Sequence, residues 1–192
     1  MSLSLSKGST LSLTKEDNSS LSKIRVDLSW NPNESLSSKS FDLDVFAVES
    51  DKENLRTSKD ANIAFFNQKK TTALTLSEDN RTGEGDGVDE FIKIDLEKIS
   101  NDVQSVPIIV TIFEAKEKGQ SFNMVDGAKV SIIDEETGKE IGFCNISNDS
   151  TQKDISLLVG VIQRKEDGKF EYKQVNGFYD RDISDWFEFI RS

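Results

Sequence analysis

No histidine occurs in this 192-residue chain, and only one cysteine, Cys144. The first absence removes every catalytic or metal-binding imidazole, and with it the Ser-His-Asp and Cys-His nucleophile machineries. The second removes intramolecular disulfides and zinc sites built on several thiolates. A metal held here must sit among oxygens, which points to calcium, magnesium or manganese. No stretch approaches the roughly 18 consecutive apolar residues of a membrane-crossing helix. The opening Met1-Ser-Leu-Ser-Leu-Ser-Lys7 lacks a basic start, a continuous apolar segment and a small-residue cleavage site. No secretory signal is expected, and the predicted location is cytoplasmic. Basic residues are also in deficit, 24 against 35 acids, for a formal net charge of −11. Such a surface repels nucleic acid, and no Lys/Arg stripe with interleaved aromatics offsets it.

What the chain does have is period-two alternation from end to end. Leu3/Leu5, Leu11/Leu13, Ile24/Val26/Leu28/Trp30, Phe41/Leu43/Val45 and Ile92/Ile94/Leu96 each suit a half-buried strand. Val106–Phe113, Ala128–Ile133 and Ile155–Ile162 are more continuously apolar and read as strands from the middle of a sheet. Turn signals at Glu135-Glu-Thr-Gly138 and Glu166-Asp-Gly168 predict two hairpins. Helix is scarce. Ile183, Trp186, Phe187 and Ile190 share one helical face behind a cap at Asp182 or Ser184, and a short helical turn is expected near Ser121–Val125. No linker or repeat divides the chain. The expectation is an all-β fold, a β-sandwich of two mainly antiparallel sheets in one domain over 1–192, with few short helices and a C-terminal helix packed on it.

One loop carries chemistry. Residues Glu78–Glu90 hold six acids in thirteen positions, with Gly83, Gly85 and Gly87 between them and Arg81 as the lone base. Glycine lets carbonyls turn inward. Carboxylates about 4 Å apart repel by on the order of 4 kcal/mol per pair at an effective dielectric near 20, and a divalent cation reverses the sign. Calcium takes six to eight oxygens in a flexible cage. The loop is not an EF-hand: Arg81 and Gly83 stand at ligand positions of the window from Asp79 to Glu90, and Glu84 stands where glycine is needed. It lacks the Gly-Lys-Ser/Thr of a phosphate loop, and it would repel phosphate. Asp42 and Asp44 form a second acidic pair, on one face of a strand whose other face is Phe41, Leu43 and Val45. Asn67 is expected to end an apolar strand in the segment Ala61–Asn67 and to offer an amide oxygen.

Taken in order, these segments resemble the tellurium-resistance TerD family over nearly the whole chain. The likeness runs through Leu3-Ser-Leu-Ser-Lys-Gly8, Lys23–Trp30, Phe41-Asp-Leu-Asp44, Phe65-Phe-Asn67 and, most specifically, Asp79-Asn-Arg-Thr-Gly-Glu-Gly-Asp-Gly-Val-Asp-Glu90. Departures are Glu78 for glycine, Val88 for the first aspartate of Asp-Asp-Glu, and Gln68 for an asparagine. The resemblance implies a calcium-binding β-sandwich involved in resistance to tellurite and other chemical stress, holding one or two calcium ions. It implies as ligands Asp42, Asp44, Asn67, Asp79, Asn80, Asp86, Asp89 and Glu90, with Thr82, Gly83 and Gly85 giving backbone carbonyls.

Two readings of function follow. The first is a non-enzymatic binding or scaffold module ordered by calcium, whose partners are other stress-response proteins or the inner membrane surface. The second is a carboxylate-based hydrolase that uses the acidic loop as a metal-assisted site, for example Asp42 with Asp89 or Glu90. Carboxylates that share a cation are held ionised, which suits ligation better than proton transfer. Cys144 has no resolving partner for redox chemistry and reads as a small buried residue. Trp30 and Trp186 read as packing residues.

Overall fold

Glu90, Ile92 and Ile94 are buried along one strand while Phe91, Lys93 and Asp95 between them are half-buried, the two-residue period that turns one sheet face inward. In the computed structural model, which describes residues 2–31, 41–52, 54–78, 87–146 and 150–192, the same period recurs through two six-stranded sheets. Their strands are β1 (Leu3–Ser4), β2 (Thr10–Ser12), β3 (Lys23–Ser29), β4 (Leu43–Val48), β5 (Ile63–Ala64), β6 (Leu74–Leu76), β7 (Glu90–Asp95), β8 (Ser105–Ile112), β9 (Lys129–Asp134), β10 (Lys139–Asn145), β11 (Ser156–Arg164) and β12 (Phe170–Tyr179). The first sheet runs β1-β10-β9-β3-β7-β6 and the second β2-β12-β11-β8-β4-β5. All pairings are antiparallel except β1 with β10.

The expected sandwich is therefore what the chain forms. Both predicted hairpins are present, β9–β10 across Gly138 and β11–β12 across Gly168. Each of these glycines has a positive φ, 68° and 81°, a backbone region that side chains resist. The continuously apolar segments became β8, β9 and β11, each flanked by strands on both sides. β8 shows why it needs apolar residues on both faces. Val106, Ile108, Val110 and Ile112 fill the space between the sheets, whereas Ile109 joins a second cluster with Phe46, Val48, Ile63, Leu158, Val161, Trp186 and Ile190.

That second cluster lies under the C-terminal helix. A four-residue turn of helix, α1 (Ala115–Lys118), comes first in the chain; the longer α2 (Ile183–Arg191) packs on the sheet's outer face. Asp182 caps α2 by accepting from the Asp185 amide at 2.9 Å, while the Asp185 carboxylate accepts from the Asp182 amide at 3.1 Å. This reciprocal box satisfies two amides at the helix start that would otherwise lack partners. Trp186 is 1% exposed, and its indole donates to Ser156 Oγ at 2.8 Å. The helical turn expected near Ser121–Val125 is a 3-10 turn, Phe122–Met124.

The segment from β1 to β2 steps from one sheet to the other. β1 lies parallel to β10 at the edge of the first sheet, and β2 lies against β12 at the edge of the second. Gly8 turns between them with φ 86° and donates its amide to the Gln174 carbonyl at 2.9 Å.

Candidate metal centre

β4 and β7 come together where the two sheets meet, joined by a hydrogen bond from the Val45 amide to Glu90. Leu43, Val45 and Ala47 of β4 point into the space between the sheets, and Phe46 and Val48 point to the α2 side. The strand period gives Asp44 the α2 side as well, where it is 6% exposed. Asp42, two residues earlier, is half-buried, and its carbonyl accepts the Phe113 amide at 2.8 Å. The expected division, acids on one side and Phe41, Leu43 and Val45 on the other, holds.

Glu90 heads β7 in the inward series with Ile92 and Ile94 and is only 2% exposed. Its Oε2 accepts the Val45 amide at 2.9 Å. The register explains why that amide needs a side chain. Asp42 and Phe113 form a hydrogen-bonded pair of the β4–β8 ladder, so alternation turns the Val45 amide away from β8. On that side β5 pairs only with Ala47 and Val48. Glu90 fills the position a longer β5 would have served.

Asp89 extends the β3–β7 ladder. Its amide donates to the Leu28 carbonyl at 3.0 Å, and its Oδ2 accepts the Trp30 amide at 3.0 Å. Burial pushes the Asp89 carboxyl above its ordinary value, and the Trp30 amide works against that rise. The Trp30 indole donates to the Phe41 carbonyl at 3.2 Å.

Three other positions of the acidic run and its neighbours turn outward. Val88 is 48% exposed. Glu78 is almost fully solvent-facing and pairs with Lys69. Asn67 does not end a strand: β5 stops at Ala64, and Asn67 is exposed in a turn closed by the Phe65 and Gln68 amides and carbonyls. The candidates Asp79, Asn80, Thr82, Gly83, Gly85 and Asp86 lie outside the described residues.

Among the described residues, no three acidic or cysteine side chains form a group that holds a metal by itself. Their donor chemistry nevertheless fits a hard cation. Asp42, Asp44, Asp89 and Glu90 offer carboxylate oxygen alone, and two of these groups, Asp44 and Glu90, are withdrawn from water. Buried carboxylates are costly unless hydrogen bonds or a cation offset their charge. Sequence reasoning assigned Trp30 to packing only. A signal was available: a buried indole N–H seeks an acceptor. Cys144 is buried, as expected, and its sulfur accepts from Asn176 Nδ2 at 3.3 Å.

Comparison with known proteins places these features in a family. The TerD domain profile matches residues 1–187. A tellurium resistance protein TerD from Alcaligenes sp is 34% identical over 177 residues, covering 91% of this chain and 90% of that one. General stress protein 16U of Bacillus subtilis (strain 168) is 30% identical over 183 residues, covering 93% and 92%. Among solved structures, a homologue of telluride resistance protein TerD from Streptomyces coelicolor A3(2) superposes with a TM-score of 0.69 at 19% identity, over 85% of this chain and 94% of that one.

Proposed function

The chain belongs to the TerD domain family, and we propose that it is a calcium-binding, non-enzymatic stress-response module acting in the cytoplasm. The single observation that carries this reading is the burial of two carboxylates, Asp44 in β4 and Glu90 in β7, 6% and 2% exposed, on strands that the Val45–Glu90 hydrogen bond joins. Relatives named for tellurium resistance and general stress support the biological setting. A bound calcium ion supplies charge neutralisation and no redox or proton-transfer chemistry.

The chain's own residues do the rest. Glu90 and Asp89 present carboxylates from the first sheet, and Asp42 and Asp44 present theirs from the second. Val45 and Trp30 amides fix one oxygen each on Glu90 and Asp89, so these groups are oriented before any ligand arrives. Calcium binding presents a surface to a partner. That partner is another stress-response protein or the inner membrane face.

The test is isothermal titration of chelator-treated protein with calcium in excess magnesium, beside Asp44→Asn and Glu90→Gln. Binding by the wild type with a raised Tm, both lost in the variants, is the expected result. Occupancy at about 100 times Kd contributes roughly 2.7 kcal/mol of stability. An absence of heat and of thermal shift would sink the calcium reading and return the carboxylates to the hydrolase alternative.

A further inference from the structure

Trp30 is 3% exposed, and its bulk alone would account for that burial. Its two nitrogens have a narrower use. The main-chain N–H holds Asp89 Oδ2 at 3.0 Å, and the indole Nε1–H holds the Phe41 carbonyl at 3.2 Å. Asp89 precedes β7 in the first sheet. Phe41 belongs to the run Phe41-Asp-Leu-Asp44 that enters the second. One residue thus bonds the acid that precedes β7 and the main chain that leads to Asp42 and Asp44, across the gap between the sheets. The Glu90–Val45 bond spans the same gap and lands on the same run.

From this we infer that Trp30 is a positioning residue for the cation site, setting where the β4 acids stand relative to the β7 acids; the inference rests on the calcium reading above. Only an indole places a donor at the far end of a large apolar side chain that has no competing acceptor. Phenylalanine would fill most of the same volume but leave the Phe41 carbonyl, and the peptide plane leading to Asp42, without its brace. Outer groups that orient ligands typically change metal affinity by about 10- to 100-fold when lost.

The experiment compares chelator-stripped wild type, Trp30→Phe and Trp186→Phe as full chains, with calcium alone as probe. Trp186 is the matched control: it is 1% exposed and its indole is equally bonded, but to Ser156. The expected result has three parts. Trp30→Phe binds calcium about tenfold more weakly, and Trp186→Phe binds as the wild type does. The calcium-induced rise in Tm shrinks in Trp30→Phe, whereas a packing role alone would lower the stripped and loaded Tm equally. Emission from Trp30, isolated in Trp186→Phe, responds to calcium, and emission from Trp186, isolated in Trp30→Phe, does not. Wild-type affinity and thermal rise in Trp30→Phe would overturn this inference while leaving the calcium reading standing. Lack of binding by the wild type would overturn both. Should Trp30→Phe fail to fold, the response of Trp30 emission in Trp186→Phe decides: silence overturns the inference.

Discussion

The carboxylate of Glu90, at the head of β7, accepts the backbone amide of Val45 in β4 at 2.9 Å, so a charged side chain from one sheet completes the hydrogen bonding of the other. Glu90→Ala removes the acceptor and leaves the Val45 amide buried without it. The expected cost, measured in chelator by urea denaturation, is about 1–3 kcal/mol. It should appear as a lower midpoint with an unchanged m value. Glu90→Gln keeps a carbonyl oxygen at the same place and should cost less than Glu90→Ala. Equal losses in the two variants would show that charge, not the amide bond, dominates.

Gly160 lies in β11 against Tyr172 of β12, and a Cβ at this position would overlap the tyrosine ring. Tyr172 is fully buried, and its hydroxyl donates to Gln174 Oε1 at 2.9 Å. The ring therefore has little freedom to move aside. Gly160→Ala should lower stability by about 1–3 kcal/mol, read as a fall in Tm. An unchanged Tm would mean that the β11–β12 bulge absorbs the methyl group.

Arg164 ties a distant connection to the end of β11. Its guanidinium donates to the carbonyls of Val103, Ile99 and Ser100 at 3.0, 3.2 and 2.9 Å and stacks 4.5 Å from the Phe170 ring centroid. Lysine keeps the charge but has neither the planar face nor the fork. Arg164→Lys should destabilise by about 1–2 kcal/mol and speed amide exchange between residues 99 and 104. Protection at wild-type level there would refute this account.

Asp182 gives a pH signature. Burial pushes its carboxyl upward, but the Asp185 amide and Lys116 outweigh that and hold it below its ordinary value of 3.8. A carboxyl depressed on folding contributes stability above its unfolded value and loses it as pH falls through the native one. Asp182→Ala should cost about 1 kcal/mol near neutrality through loss of the cap. The gap from the wild type should narrow as pH falls below about 4. A gap that stays constant down to pH 2 would contradict the assignment.

Local signals carried most of the architecture. Gly138 and Gly168 mark the two hairpins because a two-strand turn is decided by a few adjacent residues. The spacing of Ile183, Trp186, Phe187 and Ile190 revealed α2 because one helical face must be apolar to dock. The β4 acids were legible for the same reason, since strand period alone assigns Asp42 and Asp44 a face. Contacts between distant segments were not legible. Nothing near Trp30 announces that its indole reaches Phe41, and nothing near Glu90 names Val45, although an acid in step with Ile92 and Ile94 signals an inward carboxylate. Asn67 was misplaced because Phe65 and Phe66 read as a continuing strand, while the chain had already turned so that Phe65 could pair with Gln68.

The crossing from β1 to β2 sets an order of events in the birth of the molecule. β1 is completed by β10 and β2 by β12, strands that are synthesised long after the opening residues. Until then the opening residues have no sheet to join, and β8 lacks its neighbour β11. Pairing across such separations is slow and leaves strand edges exposed while it waits. The emerging polypeptide is thus most vulnerable to aggregation before β10, β11 and β12 are available, and the short β1 and β2, each with one leucine beside serine or threonine, present little sticky edge during that interval.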